Sequence, residues 1–230
     1  SITGTGSLNA SSYALQSGSV AIALGGASIP VYKTTGGMVT LSGANTFGGG
    51  TFLQAGSFRV GSSTVLDGSN AILSGPLGTG LITVSNGTGL GTASALGQTL
   101  ANNLTMLSSG ANSVYLGNGA AGELTLNGDF NLNGSTATTV YVANPVTLGG
   151  VISNGALTLG DLWPAANSVL TLKGANTYAG ATIVNAGTLT TVGDGRLANT
   201  AGITVNGGTL NLGGAQAGRV ADEHVAGRQV

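Results

Sequence analysis

Leu41-Ser-Gly-Ala-Asn-Thr-Phe47 returns as Leu172-Lys-Gly-Ala-Asn-Thr-Tyr178. The match runs on without a gap, in one unbroken register. Gly49-Gly-Thr-Phe-Leu-Gln-Ala-Gly-Ser-Phe58 aligns with Gly180-Ala-Thr-Ile-Val-Asn-Ala-Gly-Thr-Leu189. Gly43 and Gly174, Asn45 and Asn176, Phe47 and Tyr178, and Gly56 and Gly187 are therefore the structural residues of an internal repeat. A second element follows in both copies, Leu81-Ile-Thr-Val-Ser-Asn-Gly-Thr-Gly-Leu90 and Gly202-Ile-Thr-Val-Asn-Gly-Gly-Thr-Leu210. The second copy reaches it sooner, so the residues around Ser74-Gly-Pro-Leu-Gly-Thr-Gly80 read as an inserted loop.

Outward from the repeat, the chain alternates apolar and polar residues with the period of two that marks a strand. Six segments read apolar-Thr-apolar: Val39–Leu41, Ile82–Val84, Leu124–Leu126, Leu157–Leu159, Leu170–Leu172 and Ile203–Val205. Each places two apolar side chains on one face and a Thr on the other. Gly and Asn punctuate them, as at Asn127-Gly128 and Asn206-Gly207-Gly208. Helix is disfavoured, because each interior Gly costs about 1 kcal/mol relative to Ala, and Gly supplies 43 of 230 residues. The expectation is one all-β unit over residues 1–218 and a charged tail over 219–230. Five titratable residues fall in that tail (Arg219, Asp222, Glu223, His224 and Arg228) against nine in the rest of the chain.

Composition removes several classes of function. Only 6% of residues are charged and only six are Lys or Arg, so a phosphate-neutralising surface for nucleic acid is not available. There is no Cys and one His, which removes disulfide scaffolds, thiolate metal sites and most zinc or haem sites. No cofactor is implied. No apolar run approaches the ~20 residues of a membrane helix. Residue 1 is Ser with no signal peptide behind it, which reads as a processed, exported chain.

The repeat, over Leu41–Phe58 and Leu172–Leu210, resembles the autotransporter-associated β-strand repeat of passenger regions in bacterial type V secreted proteins. The resemblance implies a right-handed parallel β-helix outside the bacterial cell. The sequence departs from that family in showing no amphipathic barrel strands and no C-terminal aromatic signal. Independent physics agrees on the fold. A single rung cannot bury its own apolar face, so rungs stack, and corners need residues tolerant of positive φ. About ten irregular turns are expected at roughly 20–25 residues each. Stacked Asn45 or Asn176 would form amide ladders.

Candidate chemistry is sparse. Asp67, Glu123, Asp129, Asp161 and Asp194 are scattered, and Asp67 and Asp194 sit in Asp-Gly turns. Only Gly193-Asp-Gly195 resembles a calcium-binding β-roll sequence, and it forms no series. The outward Thr could align into an ice-binding array, but Thr is also simply a good exposed strand residue. Trp163 beside Pro164 reads as a loop leaving the solenoid. No enzyme activity is expected.

Two functions remain. In the first, low charge leaves rung edges unprotected. Copies of the chain then assemble end to end into an extracellular fibre or surface layer, with Arg219–Val230 docking on a neighbour. In the second, the chain is a monomeric passenger fragment, an adhesin or spacer at the cell surface. Expected partners are other copies of itself, and cell-surface or matrix polysaccharide.

Overall fold

The computed structural model describes residues 1–120, 122–160, 168–197 and 199–213. All regular structure in it is β, wound as a parallel solenoid of about 9 turns, close to the ten expected. The cross-section has three sides. Side one stacks Tyr13–Ala14, Val31–Lys33, Thr51–Leu53, Ile82–Val84 and Leu104–Met106, then the starts of Phe130–Val142 and Ile152–Gly160. Side two stacks Gly18–Val20, Met38–Leu41, Ser57–Val60, Thr88–Thr92 and Ala111–Leu116. It continues through the ends of the same two long strands to Thr182–Val184 and Ile203–Val205. Side three is a six-strand ladder: Gln98–Leu100, Leu124–Leu126, Val146–Leu148, Val169–Leu172, Thr188–Thr191 and Thr209–Leu212.

Alternation explains the core. On side one, Val31, Thr51, Ile82, Leu104, Phe130 and Ile152 follow one another in register and all point inward. On side three, Leu100, Leu126, Leu148 and Leu172 do the same. Each fully buried aliphatic side chain contributes about 1.5–3 kcal/mol, and each needs rungs above and below to be enclosed. The N-terminal segment joins as another rung, with Ser7–Leu8 paired parallel to Ala23–Leu24. Asn133 (φ 53) and Asn154 (φ 56) turn the corner inside the two long strands, as expected for Asn at positions of positive φ.

The two repeat copies do not occupy the same sides. In the first copy, Asn45 lies against Leu24 on the irregular start of side three, Thr51–Leu53 stacks on side one, and Ser57–Val60 stacks on side two. In the second, Asn176 lies against Ile152 on side one, Thr182–Val184 stacks on side two, and Thr188–Thr191 stacks on side three. The copies are thus related by translation along the axis and rotation by one side. The turn within each copy nonetheless has the same length. Met38 pairs with Ser57 and Val169 with Thr188, and the two pairs are equally far apart in sequence.

The excursion from the wall begins earlier than the expected loop at Ser74–Gly80. Val65–Leu66 and Ile72–Ser74 form an antiparallel hairpin outside the wall. The chain is back in the core by Leu77, which is fully buried, and Gly75 bridges to Asn45. The Leu77 carbonyl accepts from the Thr51 hydroxyl at 3.0 Å, and the Thr79 N–H donates to the Phe47 carbonyl, which ties the returning chain to the preceding rung.

Candidate functional site

The repeat residues come first, because they hold the walls. Gly43 and Gly174 pass so close to the preceding rung that a Cβ would stand 2.1 Å from the Ile22 carbonyl oxygen and 1.9 Å from that of Gly150. Gly56 and Gly187 adopt φ of +71° and +68°, where L side chains are strained. Asn45 and Asn176 do not form amide ladders. Asn45 Oδ1 accepts from the Leu24 N–H at 2.8 Å, and its Nδ2 donates to the Pro76 carbonyl at 2.6 Å. Asn176 Oδ1 accepts from the Ile152 N–H at 2.9 Å and its Nδ2 donates to the Arg196 carbonyl at 3.2 Å. Each amide therefore spans from the rung before to the rung after. The copies stand many rungs apart and on different sides, so the two Asn never meet. Phe47 and Tyr178 are both buried. The Tyr178 hydroxyl shares a 2.7 Å hydrogen bond with Thr182 Oγ1, and burial pushes its pKa well above the ordinary phenol value.

The acidic residues have local duties. Asp67 Oδ1 accepts from Ser69 N–H, Ser69 Oγ–H and the Ala71 N–H, all within 2.9 Å, which closes the hairpin turn. These donors hold its carboxyl below the usual range. Glu123 accepts from the Thr147 hydroxyl at 2.6 Å. Among the described residues no group of three His, Cys, Asp or Glu could hold a metal ion, and no helix is long and apolar enough to cross a membrane. Thr99, Thr125, Thr147, Thr171 and Thr190 do stand in register on side three. Thr147 is enclosed, however, so the row is not an open array. Asp161, Trp163, Arg219, Asp222, Glu223, His224 and Arg228 lie outside the described residues.

No sequence pattern singles out Lys33. Its position is inward, in register with Leu53, and its side chain is enclosed. The ammonium reaches the corner between sides one and two, where Nζ donates to the Thr35 carbonyl and, at 3.2 Å, to the Ala55 carbonyl. Desolvation lowers its pKa.

Among the described residues, a cleft on the outside of side one has the shape of a site. It has two adjoining parts. One, of about 250 Å³, lies under the hairpin and is lined by Asn70, Ile72, Thr79, Leu81, Asn102 and Asn103 among others. The other, of about 330 Å³, continues across the wall along Leu81, Asn103, Thr105, Asp129, Asn131 and Ser153. The two share Leu81 and Asn103. The second part is built from outward positions flanking inward residues: Asn103 and Thr105 about Leu104, and Asp129 and Asn131 about Phe130. Rung-to-rung hydrogen bonds set its side chains. Asn103 Oδ1 accepts from the Asp129 N–H at 2.9 Å, and Asp129 Oδ1 from the Val151 N–H at 2.8 Å. Asn131 Oδ1 accepts from the Asn133 N–H at 2.8 Å and from Asn154 Nδ2 at 3.2 Å. Beneath the hairpin, Asn102 Nδ2 donates to the Gly78 and Gly80 carbonyls, while its buried Oδ1 has no partner. Of these residues only Asp129 stands out in the sequence, and there as an isolated carboxylate. The available signal was the polar-apolar-polar triplets Asn103-Leu-Thr105 and Asp129-Phe-Asn131.

Wall, turns and repeat define a class: a parallel β-solenoid built from a rung-closing repeat. Residues 32–60 and 167–191 match the passenger-associated-transport-repeat family. The chain carries repeats of the autotransporter passenger type. It is 32% identical over 192 residues to a protein described as adhesin BmaC autotransporter, from Brucella suis biovar 1 (strain 1330). The matched region is 78% of this chain but 5% of that protein's length, so the chain spans a small part of its relative. No solved structure matches.

Proposed function

We propose that this chain is a rod-shaped segment of an autotransporter adhesin passenger, displayed outside the cell, that presents the cleft of side one to other surfaces. Its similarity to an adhesin passenger carries the reading. That similarity supports the adhesin expectation over the end-to-end fibre, for which the relative's description offers nothing. The architecture suits the role. About 9 turns at ~4.8 Å per rung make a stiff rod roughly 40 Å long, with its side chains fixed on flat walls. The test is adhesion of beads coated with the purified protein to cultured cells, with sedimentation run alongside. Attachment above albumin-coated beads by a monomeric rod is the expected result. Beads that attach no better than albumin controls, or a protein that sediments as filaments, overturn it.

A further inference from the structure

We infer that the cleft on side one is a binding site for a neutral, hydroxyl-rich oligosaccharide, an inference that rests on the adhesin reading and gives it a ligand class. Its chemistry carries the argument. Among the described residues the lining holds one charged group, Asp129, and no Lys or Arg. A uronate, sulfate or phosphate polymer would meet no counter-charge there and one repulsive carboxylate. Amides and hydroxyls dominate instead, and a neutral sugar offers both donors and acceptors to match them. Leu81, exposed on the shared rim, and Ile72 on the hairpin supply apolar surface for the ring carbons of a sugar.

The polar groups are also held in advance. The backbone of the next rung fixes Asn103 and Asp129 through one oxygen each. Asn103 Nδ2 and Asp129 Oδ2 make no bond among the described residues. Asn131 is fixed through Oδ1 by the Asn133 N–H of its own strand and by the Asn154 side chain of the next rung, leaving its Nδ2 open to a ligand. Ser153 Oγ is likewise unbonded among the described residues and lies one rung further on. Groups immobilised before the ligand arrives lose little freedom on binding. They recur at the rung spacing of ~4.8 Å, so they suit a polymer lying along the axis better than a compact metabolite. The volumes agree. Parts of about 250 and 330 Å³ fall at or below the lower end of the ~300–1,000 Å³ of enclosing pockets. The ligand therefore lies on the outer face of the wall, along the rod axis, and is only partly enclosed.

The test is titration of the ¹⁵N-labelled protein with cellohexaose, the hexamer of N-acetylglucosamine, and hexagalacturonate. At least one neutral hexamer should shift amides at Leu81, Asn103–Thr105 and Asp129–Asn131, and hexagalacturonate should not. Asn103→Ala with Asn131→Ala should weaken binding at least tenfold. Leu81→Ala, at an exposed position that leaves the fold intact, should weaken it about fivefold. The inference is overturned if neither neutral hexamer shifts these amides. It also falls if the anionic hexamer binds equally well, or if Leu81→Ala and the double variant bind like the parent. Coated beads that attach to cells while the hexamers fail would remove the ligand class and leave the adhesin reading standing.

Discussion

Asn45→Ala isolates what the shared geometry of the two repeat copies contributes. The substitution deletes an amide that is fully buried and bonded at both ends. It leaves the Leu24 N–H and the Pro76 carbonyl inside the wall without partners. Each orphaned buried polar group costs about 1–3 kcal/mol, which puts the total at about 2–6 kcal/mol. A solenoid contacts only neighbouring rungs, so the loss should be local. Hydrogen exchange reads it directly: the Leu24 amide should lose protection, along with the Gly75 and Thr46 amides bonded beside it, while rungs beyond residue 100 stay as before. Urea unfolding should show a lower midpoint for the N-terminal rungs. Asn206→Ala is the control, since Asn206 is exposed and its side chain donates to Asn185; it should change stability by no more than about 0.5 kcal/mol. An Asn45→Ala protein with an unchanged Leu24 exchange rate would refute the bracket role assigned to this residue.

Gly56→Ala and Gly187→Ala should each destabilise by about 1–3 kcal/mol, because φ is positive and a carbonyl lies within 2.6 Å of the added carbon. Gly68→Ala, with nothing within 4 Å, should be near neutral in the same thermal melts. Lys33→Met should be neutral or stabilising by up to about 2 kcal/mol, since a buried cation is replaced by an apolar side chain of similar length. The sign of the pH effect follows from the lowered pKa of Lys33. The unfolded chain binds the extra proton, so parent stability rises with pH through the window below 10.5, and Lys33→Met flattens that rise. Tyr178 acts oppositely. Its raised pKa means that stability declines once pH climbs past 10, where the unfolded phenol ionises first. Ultraviolet titration should find that Tyr178 resists ionisation, and Tyr178→Phe should remove that resistant signal at a stability cost of about 1 kcal/mol.

The fold was legible because its demands are local. Gly43, Gly56, Gly174 and Gly187 stand where a backbone passes close or turns with positive φ, and the match between the two repeat copies marked them. Inward and outward alternation placed Leu124–Leu126 and Leu170–Leu172 correctly. Val146-Thr-Leu148 has the same pattern and is also a strand, though the six named segments omit it. What depended on the stacking order was not legible. Thr83 reads as outward and exposed, yet it is enclosed where its rung lies between Phe52 and Thr105. Lys33 sits in an inward column because its rung registers with Leu53, a pairing that no local pattern announces. The cleft was hidden for the same reason. Leu81, Asn103, Asp129 and Ser153 are far apart in sequence and meet only when turns of unequal length are laid over one another.

The one-side rotation between the repeat copies has a geometric consequence. Because Asn45 and Asn176 perform the same task on different walls, the three walls are interchangeable supports for the motif. Joining the chain after Phe47 directly to Ala179 would delete everything between the two aligned positions and still seat Thr182–Val184 on Val31–Lys33. Everything downstream would then point about a third of a revolution away from its present bearing. The interval between copies therefore sets an azimuth as well as a length. Gain or loss of a repeat would re-aim whatever the rod displays beyond it, while the wall that carries it stays sound.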